Sequence, residues 1–233
     1  MNNIMADRYS RQTQLPEIGA RGQLALGAAR VAVIGCGALG SLVAMYLAGA
    51  GIGKIIIADF DTVDISNLHR QLFFTENECG KPKVSLLRKR MEALNRQIKV
   101  TELQELVRPE LLHTIAPLCE VVIDATDNPE SKRMVSEVCR EIGKPCIIGG
   151  VDGWRGQVMT CVPGGTYYND VFPAEESDGF TPCRLGGVVG PVAGMVASLQ
   201  ATEAIKLITG CSSEGGELFL LDTLTMQSQT IKI

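Results

Sequence analysis

The run "RVAVIG" (30–35) ends in a glycine and passes at once into "CGALGSLVAMYLAGAG" (36–51), where small and apolar residues recur at helical spacing. A β-branched run closed by glycine marks a strand buried in a parallel sheet. Gly35, Gly37 and Gly40 then stand in G-x-G-x-x-G spacing between that strand and a helix. The first glycine allows a tight turn, the second lets backbone N–H groups approach a phosphate, and the third lets helix and strand pack closely. The helix N-terminus faces the anion. A second run, "KIIIAD" (54–59), closes on Asp59, 19 residues after Gly40, where a carboxylate would accept ribose hydroxyls. This pattern predicts a nucleotide site; a turn needed only for packing is the alternative. The fingerprint alone does not separate a nicotinamide dehydrogenase from an enzyme that uses ATP.

The same alternation continues along the chain. "KPKVSLLRKRMEALN" (81–95) reads as an amphipathic helix, followed by a strand near 98–101. "EVVIDAT" (120–126) is a strand, 130–142 a helix, and "KPCIIGG" (144–150) a further strand. Strand and helix in turn predict a doubly wound, mostly parallel, Rossmann-like α/β sheet. After it, "GQVMTCV" (156–162) and "GELFLLDTLTMQSQTIKI" (216–233) have no crossover helix within them and read as antiparallel strands added at the sheet edge. A helix over about 191–208 packs beside them. The segment 163–190 is rich in Gly and Pro without a clear period, and a loop of that length in a compact domain reads as a mobile functional cover. The chain divides into an N-terminal helical arm, 1–29, and a single domain, 30–233.

Composition narrows the partners. A net charge of −4 with no Lys/Arg block argues against nucleic acid. The polar start "MNNIMADRYSRQ" is no signal peptide, and the most apolar helix contains Gln200, Glu203 and Lys206, so no membrane span is expected. Eight cysteines are scattered, with no two in C-x-x-C spacing, which reads as reduced thiols of a cytoplasmic protein. Cys36, Cys119, Cys139, Cys146 and Cys161 fall in strand or helix runs and are expected to be buried.

The connection after the second strand favours ATP. "DFDTVDISNLHRQ" (59–71) is unusually polar for its place, and "GKPKV" (80–84) brings Lys83 to a helix start. Arg70 and Lys83 could neutralise a triphosphate. "DATDN" (124–128) puts Asp127 just past the carboxyl end of a parallel strand, where such sheets bind ligands, and an Asp near phosphates suits Mg²⁺. Each charge alone reads as a solvated loop residue, or as a helix cap in the case of Asp127 or Asn128. At one end of one sheet they read together as a site for Mg·ATP.

"RYSRQ" (8–12), "GCGALG", "DFDTVDISNLHRQ", "GKPKV", "DATDN" and "CRLGGVVGP" (183–191) stand in the order found in the ubiquitin-activating-enzyme-like superfamily. The chain resembles its bacterial members, the sulfur-carrier adenylyltransferases of thiamine and molybdopterin synthesis, from about Arg8 to its end. The resemblance implies adenylation of the C-terminal glycine of a ubiquitin-like sulfur carrier ending in Gly-Gly, with loss of pyrophosphate. It also implies roles. Gly37 and Gly40 line the nucleotide, Asp59 holds the ribose, and Asn67, Arg70 and Lys83 hold the phosphates. Asp127 serves Mg²⁺ and the developing charge. Gly35, Ala38, Asp61 and Asn128 complete the nucleotide site. Arg11 reaches into a partner subunit's site, which implies a homodimer. A sulfurtransferase or cysteine desulfurase would be a further partner.

Two departures and one cysteine stand out against that family. His69 stands where relatives often carry Gln or Asn and reads as a neutral substitution at the pocket rim. Relatives commonly hold a structural zinc with two C-x-x-C pairs. Here Tyr167 and Asp170 occupy the first pair's positions and the second pair is missing, so no structural zinc is expected. Cys183 precedes Arg184, whose cation would favour the thiolate, and the resemblance links a cysteine here to sulfur transfer after adenylation. The thiamine branch is the leading expectation and the molybdopterin branch the alternative. A tRNA-modifying dehydratase of the same superfamily and an NAD-dependent oxidoreductase are the further readings.

Overall fold

The computed structural model describes residues 8–173, 187–211 and 215–233. Eight strands form one sheet in the order β3-β2-β1-β4-β5-β6-β7-β8. They are β1 (Arg30–Ile34), β2 (Lys54–Ala58), β3 (Lys99–Leu103), β4 (Val121–Asp124), β5 (Cys146–Asp152), β6 (Arg155–Cys161), β7 (Glu217–Asp222) and β8 (Gln227–Lys232). β1 to β5 run parallel, and β6, β7 and β8 add antiparallel, as the sequence patterns predict. The strand order reverses between β1 and β4, and such a switch opens a crevice at the carboxyl ends of the strands.

The described helices are α1 (Ser10–Thr13), α2 (Gly19–Ala28), α3 (Gly40–Ala50), α4 (Lys83–Leu94), α5 (Pro109–Ile115), α6 (Pro129–Glu141), α7 (Tyr168–Val171) and α8 (Gly190–Thr209). Short 3₁₀ turns punctuate the connections. Alternate residues of the central strands feed two cores. Val31, Val33, Val121, Ile123 and Ile147 pack with α3 and α8 on one face. Ala32, Ile34, Val122, Cys146 and Ile148 pack with α5 and α6 on the other. Both faces are therefore covered, which explains why these strands read as unbroken apolar runs. The short helix α5, which no sequence pattern singles out, is held in place by burying Leu112 and Ile115. No helix among the described residues is long and apolar enough to cross a membrane.

The five cysteines expected in the core are buried, whereas Cys79 and Cys211 are exposed. The segment 163–190, read from sequence as a cover loop, begins differently. Tyr167 and Tyr168 are buried at the start of α7, and Arg140 of α6 lies over the Tyr167 ring. Tyr167 donates its hydroxyl to the Lys144 carbonyl (2.9 Å), and its N–H goes to Asp170 Oδ2 (2.8 Å). Arg140 pairs with the same carboxylate oxygen at 2.7 Å and holds the Asp170 carboxyl below its usual range. Residues 174–186, with Cys183 and Arg184, lie outside the described residues.

Candidate active site

At the carboxyl ends of β1, β2 and β4 a cavity of about 270 Å³ opens. Its walls come from the glycine loop, the connection after β2, the start of α4 and the loop between β4 and α6. Backbone packing dictates the glycines. Gly35 has φ +91°, and a Cβ there would lie 2.8 Å from the Ala125 carbonyl oxygen. A Cβ on Gly40 would fall 1.8 Å from the Gly35 carbonyl oxygen, so α3 can start this close to the turn only as glycine. The glycine loop and the 124–128 loop are thus pressed back to back, and both face the cavity.

The carboxylate of Asp59 is tied to that loop: Oδ2 accepts from Cys36 N (2.7 Å) and Oδ1 from Asp61 N (2.8 Å). Each oxygen keeps a second lone pair for a ligand hydroxyl. Lys83, 3% exposed, sends its ammonium to Asp61 Oδ2 at 2.9 Å. Its stem is buried by the position at the first turn of α4, where Lys83 N also donates to the Asp61 carbonyl (3.1 Å). Arg70 is steered by the Ser66 carbonyl (3.0 Å) and by His69 Nε2 (2.7 Å). An arginine only donates, so the imidazole nitrogen is the acceptor in this exposed contact at the rim.

Most of the residues singled out in the sequence meet here. Gly35, Gly37, Ala38, Asp59, Asp61, Arg70, Lys83, Asp127 and Asn128 all line the cavity. Asp127 is exposed at the end of β4, one residue before the helix cap. Asn128 is that cap, its Oδ1 accepting from Ser131 N (2.8 Å). Asn67 is not among the lining residues; it sits in a 3₁₀ turn, where its carbonyl accepts from Arg70 N (3.0 Å) and Gln71 N (2.9 Å). Gly40 acts from behind, through packing. Arg11 is remote from this cavity. Gln12 binds the Ala50 carbonyl (3.1 Å), and Tyr9 accepts from Asn95 Nδ2 (2.8 Å), which also donates to the Ala48 carbonyl. The arm is therefore fixed at the C-terminal end of α3. The cavity lies at the other end, about 16 Å away along an 11-residue helix.

Two features carry no clear signal in the sequence. Lys132 and Asp124 form a buried ion pair under the 124–128 loop, with Nζ–Oδ2 at 2.9 Å. The ammonium also donates to the Thr126 and Gly149 carbonyls, both at 2.6 Å. The second feature is Gln71, which lines the cavity and is 4% exposed. Its place at the end of "DISNLHRQ" is a polar-loop signal only.

Comparison with known proteins gives a consistent match. The model of the ThiF family matches residues 9–233. The sulfur carrier protein ThiS adenylyltransferase of Escherichia coli is 37% identical over 235 residues, covering 100% of this chain and 93% of that protein. An adenylyltransferase and sulfurtransferase MOCS3 of Dictyostelium discoideum is 39% identical over 233 residues, covering 97% of this chain. This chain spans only about half of that relative, 54% of its length. Among solved structures, E. coli MccB with ATP superposes with a TM-score of 0.82 at 26% identity, over 100% of this chain and 72% of that one.

Proposed function

The chain belongs to the ThiF family, and from that premise we propose that it is a nucleotidyltransferase that uses ATP to adenylate the C-terminal glycine of a ubiquitin-like sulfur carrier. The observation that carries this reading is one cavity in which Asp59, Arg70, Lys83 and Asp127 converge on a glycine loop. The carrier carboxylate attacks the α-phosphorus and pyrophosphate leaves. Such a transfer needs positioning and charge neutralisation more than an acid or base, and this cavity supplies fixed cations on short tethers.

Mg²⁺ fits the donor chemistry. Asp127 lines the same cavity as the cations Arg70 and Lys83, and a carboxylate beside phosphates suits a cation held by one or two carboxylates together with phosphates and water. Asp127 would hold it, and the ion would neutralise charge on the phosphates. The thiamine-type carrier is the leading substrate, since the relative named as the ThiS adenylyltransferase matches over 93% of its length. The MOCS3 match supports a molybdopterin-type carrier as the second reading. ATP–pyrophosphate exchange with both carriers, followed by intact mass for an AMP adduct, tests both. Exchange with neither would overturn the reading. In the same assay Cys183→Ser is expected to adenylate at the wild-type rate, with its loss appearing only in sulfur transfer to the carrier.

The homodimer is part of the proposal. Arg11 lies too far from its own cavity to serve it, so its target is a second copy. Beside it α3 and α8 present an apolar groove lined by Leu42, Met45, Tyr46, Phe73 and Leu94, a fitting surface for that copy. Arg11→Ala and Asp127→Ala should each be nearly inactive alone. Co-expressed with separate tags, they should recover about a quarter of wild-type activity, because half of the dimers then carry one intact site. Activity no higher than that of the parents would rule out sharing of Arg11 between subunits.

A further inference from the structure

Gln71 ends the polar connection after β2, 96% buried, with its main chain pinned by Asn67 and Phe74. Its Oε1 is enclosed and has no hydrogen-bond partner among the described residues. Its Nε2 faces the glycine loop, 3.5 Å from where a Cβ on Gly37 would sit. A buried carboxamide left unsatisfied destabilises a fold, and its retention calls for a reason. The neighbouring polar groups differ in this respect. Arg70 is engaged by Ser66 and His69, and Lys83 by Asp61. Gln71 can give its N–H to a ligand without breaking any of these bonds.

The place of that N–H identifies the ligand atom. Asp59, the ribose acceptor, is bonded to Cys36 of the same loop at 2.7 Å. The phosphate nearest a ribose held there is the α-phosphate, and it falls beside Gly37. Resting on the adenylation reading above, we propose that Gln71 Nε2 donates to a non-bridging oxygen of the α-phosphate. In the step it serves, a carrier carboxylate oxygen bonds to the α-phosphorus. The bond from that phosphorus to the bridging oxygen breaks, and its electron pair leaves on pyrophosphate; no proton moves. Charge rises on the non-bridging oxygens as the phosphorus passes through the transition state. A neutral, fixed donor aimed there stabilises it without holding the departing pyrophosphate, which the two cations attend. Gln71 thereby acts on the transferred group and Arg70 and Lys83 on the leaving group.

Gln71→Met keeps the length of the side chain and removes both the enclosed, unpartnered Oε1 and the Nε2 donor. The variant is expected to melt about 2–4 °C higher than wild type. It should also transfer AMP about a hundredfold more slowly in single turnover, with a smaller ATP-induced rise in Tm. A residue that merely supports the fold gives the reverse pairing, a lower Tm with the slower rate. Gln71→Glu, which retains shape but offers no donor, should slow the transfer at least as much. A wild-type rate in Gln71→Met, or a lower Tm beside a slower rate, would overturn the assignment while leaving the adenylation reading intact. If the wild-type protein exchanged with no carrier, that reading would fall. The unliganded Tm and the ATP-induced shift of Gln71→Met would then still decide whether the carboxamide meets phosphate.

Discussion

Lys83→Met is expected to slow adenylation by about 10³-fold while the protein stays folded. The stem of Lys83 is buried in the first turn of α4, and methionine fills nearly the same volume. The ammonium meets Asp61, whose side chain is half exposed. Without Lys83, Asp61 is hydrated rather than stranded, and stability should fall by no more than about 1 kcal/mol. The rate responds differently, because the ammonium sits at the cavity wall on a tether that cannot drift. In the proposed reaction it would neutralise a phosphate bound there, with most of its effect as negative charge moves onto the leaving pyrophosphate. Lys83→Arg should not rescue the rate, since a planar fork cannot occupy a slot shaped for a point charge. Rapid-quench single turnover with saturating ATP measures the effect, and denaturant unfolding measures stability. A loss of rate below tenfold would remove Lys83 from phosphate handling.

The second large effect falls on stability. Lys132→Met leaves Asp124 fully buried without its cation and should cost about 3–5 kcal/mol. In the native protein burial pushes the Asp124 carboxyl up, while Lys132, 2.9 Å away, and Thr126 pull it back down. Burial already outweighs both and keeps the carboxyl above its usual range, and removing the lysine raises it further. The folded carboxyl therefore titrates still further above its unfolded value of about 4. The unfolded chain releases its proton first, so the variant's extra instability sets in as pH rises above about 4 and fades below it. Adding Asp124→Leu removes the stranded charge, and the double variant should regain at least half of the lost stability. Urea unfolding of wild type, Lys132→Met and the double variant between pH 4 and 8 checks both statements. A double variant no more stable than Lys132→Met would show that the Thr126 and Gly149 carbonyls, rather than Asp124, carry the lysine's effect.

These two lysines show how unevenly a site can be read from sequence. Lys83 is legible because it opens a helix directly after a polar connection, and the helix start fixes its direction. Lys132 is not. On the helix 130–142 it reads as one more solvated charge, and Asp124 reads as the polar end of a strand. Their eight-residue separation crosses a strand end, a loop and a helix turn, and only the packing of α6 on the sheet brings them together. Gln71 is hidden for a similar reason: a polar residue in a polar loop carries no sign of burial.

The sheet, the glycine loop and the gathering of polar residues at the carboxyl ends of the strands are legible from the chain alone. Those features depend on short-range pattern: apolar runs of strand length, glycines at fixed spacing, and helix starts. The sequence also marked Asp59 and Asp127, since residues just past strand ends are placed by the strands themselves, and Arg70 and Lys83 through the polar connection and the helix start that follow β2. Only the tertiary structure decided which polar groups lost water. It buried Lys132 with Asp124, enclosed Gln71, and fixed Arg11 at the far end of α3 from the cavity. The reason is physical. Strand and helix periods are local properties of the chain, whereas desolvation and distance come from packing between segments far apart in sequence.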